Sequence, residues 1–174
     1  MKTTLQSARI VAAAEIETPL GAMTALASAK GLVALWFDAR ERFADFGDVA
    51  EDEDRRNAAI EAARRWLHAY WNGDDPSAIR VPLDLQGTPF QRAVWAHLQA
   101  IPFGRTRSYG EVAAAAGRSA AVAARATGAA CGANPIGLIV PCHRVVGAKG
   151  AMTGFSAGLE RKIALLRHEG VLPA

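Results

Sequence analysis

Cysteine is scarce in this chain. The 174 residues hold two, Cys131 and Cys142, and no CxxC pair. A disulfide framework is therefore not expected, nor is a thiolate-rich zinc site. The four histidines, His68, His97, His143 and His168, are scattered, so no metal and no cofactor is expected. No run of eighteen apolar residues occurs, which argues against a membrane-spanning helix. Near the start, Lys2, Arg9, Glu15 and Glu17 interrupt the only apolar patch too early for a secretory leader. Internal repeats and long low-complexity tracts are also missing. What is present is a 51% hydrophobic chain with mixed charges, expected to be a globular cytoplasmic protein, or a nuclear one in a eukaryote.

The charges are unevenly placed. Residues 1–83 carry 10 Lys/Arg against 13 Asp/Glu, and residues 84–174 carry 10 against 4. A basic half suits a polyanionic partner, although two solvated surfaces would look the same. The expected fold class is α+β, with domains at 1–83 and 84–174. In the first, three short apolar runs around "RIVAAAEI", "AMTALASA" and "LVALWFDA" read as a strand meander, followed by an acidic loop at 45–54. Ile60, Ala63, Leu67 and Tyr70 then recur at helical spacing, and Asn72-Gly73 stops that helix. The second domain should be mainly helical. Thr88-Pro89-Phe90-Gln91 and Ser108-Tyr109-Gly110-Glu111 both read as capping boxes. Phe90, Val94, Leu98 and Ile101 make one apolar stripe. "AAVAARATGAACGA" should form a second helix after a tight connection, giving a helix-turn-helix. Its small residues would let its backbone approach a surface closely, with Arg125 as the one long probe. In the last helix Leu159, Ile163 and Leu166 are expected to face the core, with Gly170 as its stop.

"GLIVPCHRVV", Gly137–Val146, reads as a buried strand that delivers the Cys142 thiol. A thiol near its free pKa of about 8.5 is only a few per cent ionised at neutral pH and needs a base. His143 is adjacent. In an extended chain neighbouring side chains diverge, so either Pro141 turns the chain or a water relays the proton. An acid should then orient the imidazole, and Glu169 is the best-placed candidate. A lone buried cysteine is more often structural, but the Pro-Cys-His-Arg context favours chemistry.

"IVPCHRVV" resembles the active-site signature of the methylated-DNA–protein-cysteine methyltransferases. "GTPFQRAVWAHLQAIPFGRTRSYGEVA", "AARATGAACGANPIGLIVPCHRVV" and "GFSAGLERKIALLRHEG" resemble further segments of that family in its order, over about residues 86–170. The resemblance implies direct reversal of O6-alkylguanine damage in double-stranded DNA. The protein would bind in the minor groove, flip the nucleotide and take the alkyl group once, irreversibly. It implies Cys142 as nucleophile, His143 as its base through a water, Glu169 as the group orienting His143, and Asn134 as a hinge. It implies Arg125 as a finger into the base stack, with Ala124, Ala126 and Gly128 against the DNA. Tyr109, Val145 and Ser156 would line the base pocket. The free protein is expected to be a monomer.

Some positions depart from the family pattern. The Tyr109–Arg125 connection is about two residues longer, Phe155 stands where Tyr is common, and Ala157 stands where Gly is common. The N-terminal half has no cysteine for the zinc site of some members. Cys131 reads as packing. Two other classes compete: a damage-binding protein without transfer, which would lack the acceptor thiol, and a Cys–His hydrolase, which would turn over.

Overall fold

Three apolar runs punctuated by turns fold into an antiparallel sheet. In the computed structural model, which describes residues 9–38, 57–117 and 120–173, β1 (Ile10–Ile16), β2 (Met23–Ser28) and β3 (Gly31–Phe37) pair in chain order. Ala14 lies opposite Ala25, and Ala25 opposite Leu35. Every residue of β3 is buried, which is why this stretch reads as a continuous apolar run rather than an alternating one. Gly31 lets residues 82–84 run alongside: a Cβ there would sit 2.7 Å from the Pro82 carbonyl oxygen. Leu32 N donates to Pro82 O, and Asp84 N to Leu32 O, both at 2.8 Å. Helix α1 (Ala58–Trp71) packs on the sheet. Asn57 caps its start, accepting from Ala59 N and Ile60 N, and Gly73 follows its end with φ 83°. These elements make one compact unit, residues 1–86. The acidic loop at 45–54 lies outside the described residues.

Residues 87–174 make the second unit. Helix α2 (Pro89–Gln99) opens on the Thr88/Gln91 capping box, and α3 (Tyr109–Ala115) on the Ser108/Glu111 box. Both boxes satisfy helix-end N–H groups that would otherwise lack partners. Helix α4 (Ala120–Gly132) packs against α3 and α2. The α3–α4 turn at 118–119, and with it the longer connection noted above, falls outside the described residues. On α2 the buried side chains are Val94, Trp95 and Leu98, with Ile101 just beyond; Phe90 is half-buried. Trp95 Nε1 donates to Ala130 O at 2.8 Å, which ties α2 to α4. Two short strands, β4 (Arg107–Ser108) and β5 (Val145–Val146), pair in parallel. Helix α5 (Leu159–His168) closes the unit.

Two expectations need correcting. On α5 the buried residues are Lys162, Leu165 and Leu166, while Leu159 is 42% exposed and Ile163 half-buried. The buried face is rotated because Lys162 is satisfied inside the protein, as described below. The segment before Cys142 is also not a strand. Ile139 N donates to Gly137 O, Val140 N to Ile136 O, and Cys142 N to Val140 O. Leu138 takes a left-handed φ of 64°. The run is apolar because the whole segment is buried, which periodicity cannot separate from a buried strand.

Candidate functional site

The chain turns sharply at Pro141, and Cys142–Arg144 form one 3₁₀ turn that leads into β5. Cys142 is 5% exposed and lies on the wall of a pocket of about 370 Å³. Tyr109, Ala124, Gly128, Cys131, Gly132 and residues 153–156 form the rest of the wall. The pocket thus lies between the start of α3, one face of α4, the cysteine turn and the loop before α5.

Asn134 holds the thiol. It is fully buried, and its Nδ2 donates to Val140 O at 2.7 Å and to Cys142 Sγ at 3.2 Å. Its Oδ1 accepts from Ile136 N at 3.0 Å. One side chain therefore fixes the end of α4, the bend after it and the sulfur. An N–H donor aimed at sulfur favours the thiolate over the thiol.

Behind the thiol is a buried charged cluster. Glu169 accepts from His143 Nε2 at 2.6 Å, from Arg144 Nε at 2.9 Å and Nη2 at 3.1 Å, and from Gly104 N at 3.2 Å. Arg144 Nη1 also donates to Ile101 O at 2.7 Å, and its guanidinium lies 5.8 Å from the Phe103 ring centroid. Burial pulls the Glu169 carboxyl upward, but the hydrogen bonds and charges of His143 and Arg144 prevail and hold it at about 2. An ionised Glu169 can only accept, so His143 Nε2 carries the proton it shares. Burial lowers the His143 pKa, against the pull of Glu169. The imidazole is then neutral at neutral pH, with the Nδ1 lone pair available. Nδ1 is buried and makes no hydrogen bond among the described residues. The turn at Pro141 thus does not bring His143 Nδ1 into hydrogen-bond contact with the sulfur.

Tyr109 projects its ring onto the pocket wall and donates its hydroxyl to Gly154 O at 3.4 Å. Burial, then the charges that Cys131 and Cys142 would carry, push it up to about 12. Ser156 donates from Oγ to Gly132 O at 3.1 Å, pinning the loop to the end of α4. Ala124 and Gly128 face the pocket, while Arg125 and Ala126 are exposed on another face of α4. Val145 is fully buried and is not on the pocket wall. Its carbonyl accepts from Lys162 Nζ at 2.6 Å, leaving one lone pair.

Sequence reasoning missed three contributors. Lys162 is fully buried and clamps Val145 O and Thr153 O, the latter at 2.9 Å. Its helical position among apolar residues was the available signal. Arg144 was visible as a neighbour of the thiol but not as the partner of Glu169. Cys131, expected to be packing, is buried and also lines the pocket; burial, then the charge of Cys142, pushes its thiol up. No group of three metal-ligating side chains gathers among the described residues.

A two-domain α+β protein with a buried, base-backed cysteine beside a pocket is the class that these features define. Comparison with known proteins then places it. The family model described as 6-O-methylguanine DNA methyltransferase, DNA binding domain, matches residues 89–171. The model of that family's ribonuclease-like domain matches residues 12–85. The OGT of Mycobacterium tuberculosis, solved in complex with DNA, is 39% identical with a TM-score of 0.75, over 94% of this chain and 96% of that one. The O6-methylguanine methyltransferase of the same organism is 38% identical with a TM-score of 0.72, over 95% and 96%. The methylated-DNA–protein-cysteine methyltransferase of Salmonella typhimurium is 59% identical over 86 residues. There the matched segment spans about half of each chain, 49% of both. The chain belongs to the 6-O-methylguanine DNA methyltransferase family.

Proposed function

We propose that this protein repairs DNA by taking the alkyl group from O6 of guanine onto Cys142, once per molecule. The observation that carries the reading is the sulfur on the pocket wall, with Asn134 donating to it and the buried His143–Glu169–Arg144 cluster behind it. In the reaction the Sγ–carbon bond forms as the carbon–O6 bond breaks, and the electron pair stays on the guanine oxygen. The thiol proton passes through a water to His143 Nδ1, the unpartnered acceptor, and from there to the leaving guanine. Glu169 keeps the imidazole in the required tautomer and favours the transient imidazolium. The Tyr109 hydroxyl, protonated up to about 12, is a donor for the negative charge developing on the base. The thioether product has no route back, so the chain is consumed.

The pocket can take a base only if the nucleotide leaves the duplex. Arg125, exposed on α4 beside the small residues Ala124, Ala126 and Gly128, supplies the finger that fills the vacated stack. Ser156, on the pocket wall, faces the base edge, whereas Val145 is held away from the pocket by Lys162 and supports the wall from behind. Backbone contacts plus one wedge give little sequence preference, as a scanning repair protein needs.

The test is intact-protein mass after incubation with a duplex carrying one O6-methylguanine. A gain of one methyl group at Cys142, lost in Cys142→Ala while DNA binding persists, is the expected result. Tight binding with unchanged mass would instead indicate a damage-binding protein, and a transient acyl adduct would indicate a hydrolase.

A further inference from the structure

Among the exposed cations of the second unit that the alkyl-transfer reading leaves unused, Arg107 and Lys149 stand beside the pocket. Arg107 opens β4, and Lys149 occupies the middle of the turn Ala148–Gly150. This turn packs against β4, so the two positions share one edge of the unit. The edge borders the pocket by both routes along the chain. Tyr109 follows β4 at once, Thr153 and Gly154 follow the turn, and all three line the pocket. The Tyr109–Gly154 hydrogen bond joins the two routes.

Lys149 has a left-handed backbone, φ 56°, between Gly147 and Gly150. That conformation is normally left to Gly or Asn, so a long cationic side chain here is held against local preference. The turn that holds it is closed by Gly147 N donating to Ala151 O at 2.7 Å. Among the described residues neither cation is held in an ion pair. Glu111 is the acid that faces Arg107. Its carboxyl is lowered first by hydrogen bonds from Ser108 and last by Arg107. It is committed to capping α3, accepting from Ser108 N and Oγ, both at 2.7 Å. Residues 87–174 hold ten Lys/Arg and three Asp/Glu, and one of those acids, Glu169, is spent on the buried cluster.

We propose that Arg107 and Lys149 are a two-point phosphate clamp for the strand whose nucleotide enters the pocket. This rests on the alkyl-transfer reading and names the part of its partner that this edge recognises: backbone phosphates beside the lesion. Such contacts fix register without reading sequence, so they hold the strand while its base is turned out.

The experiment measures the binding of full-length Arg107→Gln, Lys149→Gln and double variants to a short duplex carrying one O6-methylguanine, across a salt series. Each single variant should lower the log–log salt slope by about 0.9, and the double variant by about 1.8, one phosphate per residue. Transfer from free O6-alkylguanine base, which has no phosphate, should keep its wild-type rate in every variant. An unchanged slope in the double variant overturns the clamp. So does an equal loss on free base and duplex, which would mark a structural role. If the wild-type chain accepts no alkyl group from either substrate, the alkyl-transfer reading falls, and the salt slopes still decide the clamp.

Discussion

Replacing Glu169 by Gln keeps the shape of the side chain and removes its charge. The native carboxylate serves His143, Arg144 and Gly104 N at once. A Gln amide offers these donors one oxygen and turns its NH₂ toward the rest. Arg144, 6% exposed, is left as a buried cation without a counter-charge, a situation that costs about 3–5 kcal/mol. Linkage gives a similar size. Glu169 is held at about 2 in the folded protein, against roughly 4.3 in an unfolded chain. That gap is worth about 3 kcal/mol at neutral pH. Because the folded value is depressed, this stabilisation is complete above the unfolded value and drains away as pH falls toward 2. The difference between wild type and variant should therefore be wide at pH 7 and fall to roughly half at pH 3. Urea unfolding, read by pulsed hydrogen exchange of peptides from residues 87–174, isolates the unit that carries the change. A gap under about 1 kcal/mol at pH 7 would refute the argument from uncompensated charge. A gap of equal size at pH 3 would refute the linkage argument.

Two further predictions follow from the same unit. Burial lowers the His143 pKa, so single-turnover methyl transfer should keep its rate as pH falls to about 6.5, the free-histidine value, and decline only below it. An acid-limb midpoint at or above that value contradicts a buried neutral base. On α4, Thr127 is fully buried and its Oγ1 has no hydrogen-bond partner among the described residues. Thr127→Val keeps the shape and removes the unpaired hydroxyl, so the urea midpoint should rise by the equivalent of about 1 kcal/mol; a fall would mean that the hydroxyl is satisfied.

Elements with local punctuation were legible in the sequence. Thr88/Gln91 and Ser108/Glu111 announce helix starts because capping is chemistry between neighbours, and both boxes form. The three sheet strands are separated by turn residues, and they pair in chain order. Positions decided by distant partners were harder to read. Lysine is normally solvated, so the apolar pattern points to Leu159 and gives Lys162 no place on the buried face. Yet the carbonyls of Val145 and Thr153, 17 and 9 residues away, satisfy its ammonium inside the core. Nothing about the residue Leu138 signals a left-handed backbone, and that bend is what separates a buried loop from a buried strand.

The geometry of the thiol depends on this misread segment. On a strand, consecutive side chains point to opposite faces. His143 and Arg144 would then diverge by about half a turn and could not both reach one carboxylate. A 3₁₀ turn advances by about a third of a turn per residue. That spacing lets Cys142 face the pocket while His143 and Arg144 both reach Glu169. Arg144 thereby anchors the acid, the acid orients the imidazole, and the imidazole lies beside the sulfur in the chain. Glu169 follows the last residue of α5, so the closing helix sets the position of the base. A substitution that loosens the end of α5 should therefore weaken transfer without touching the pocket, because it releases the carboxylate that keeps the His143 proton on Nε2.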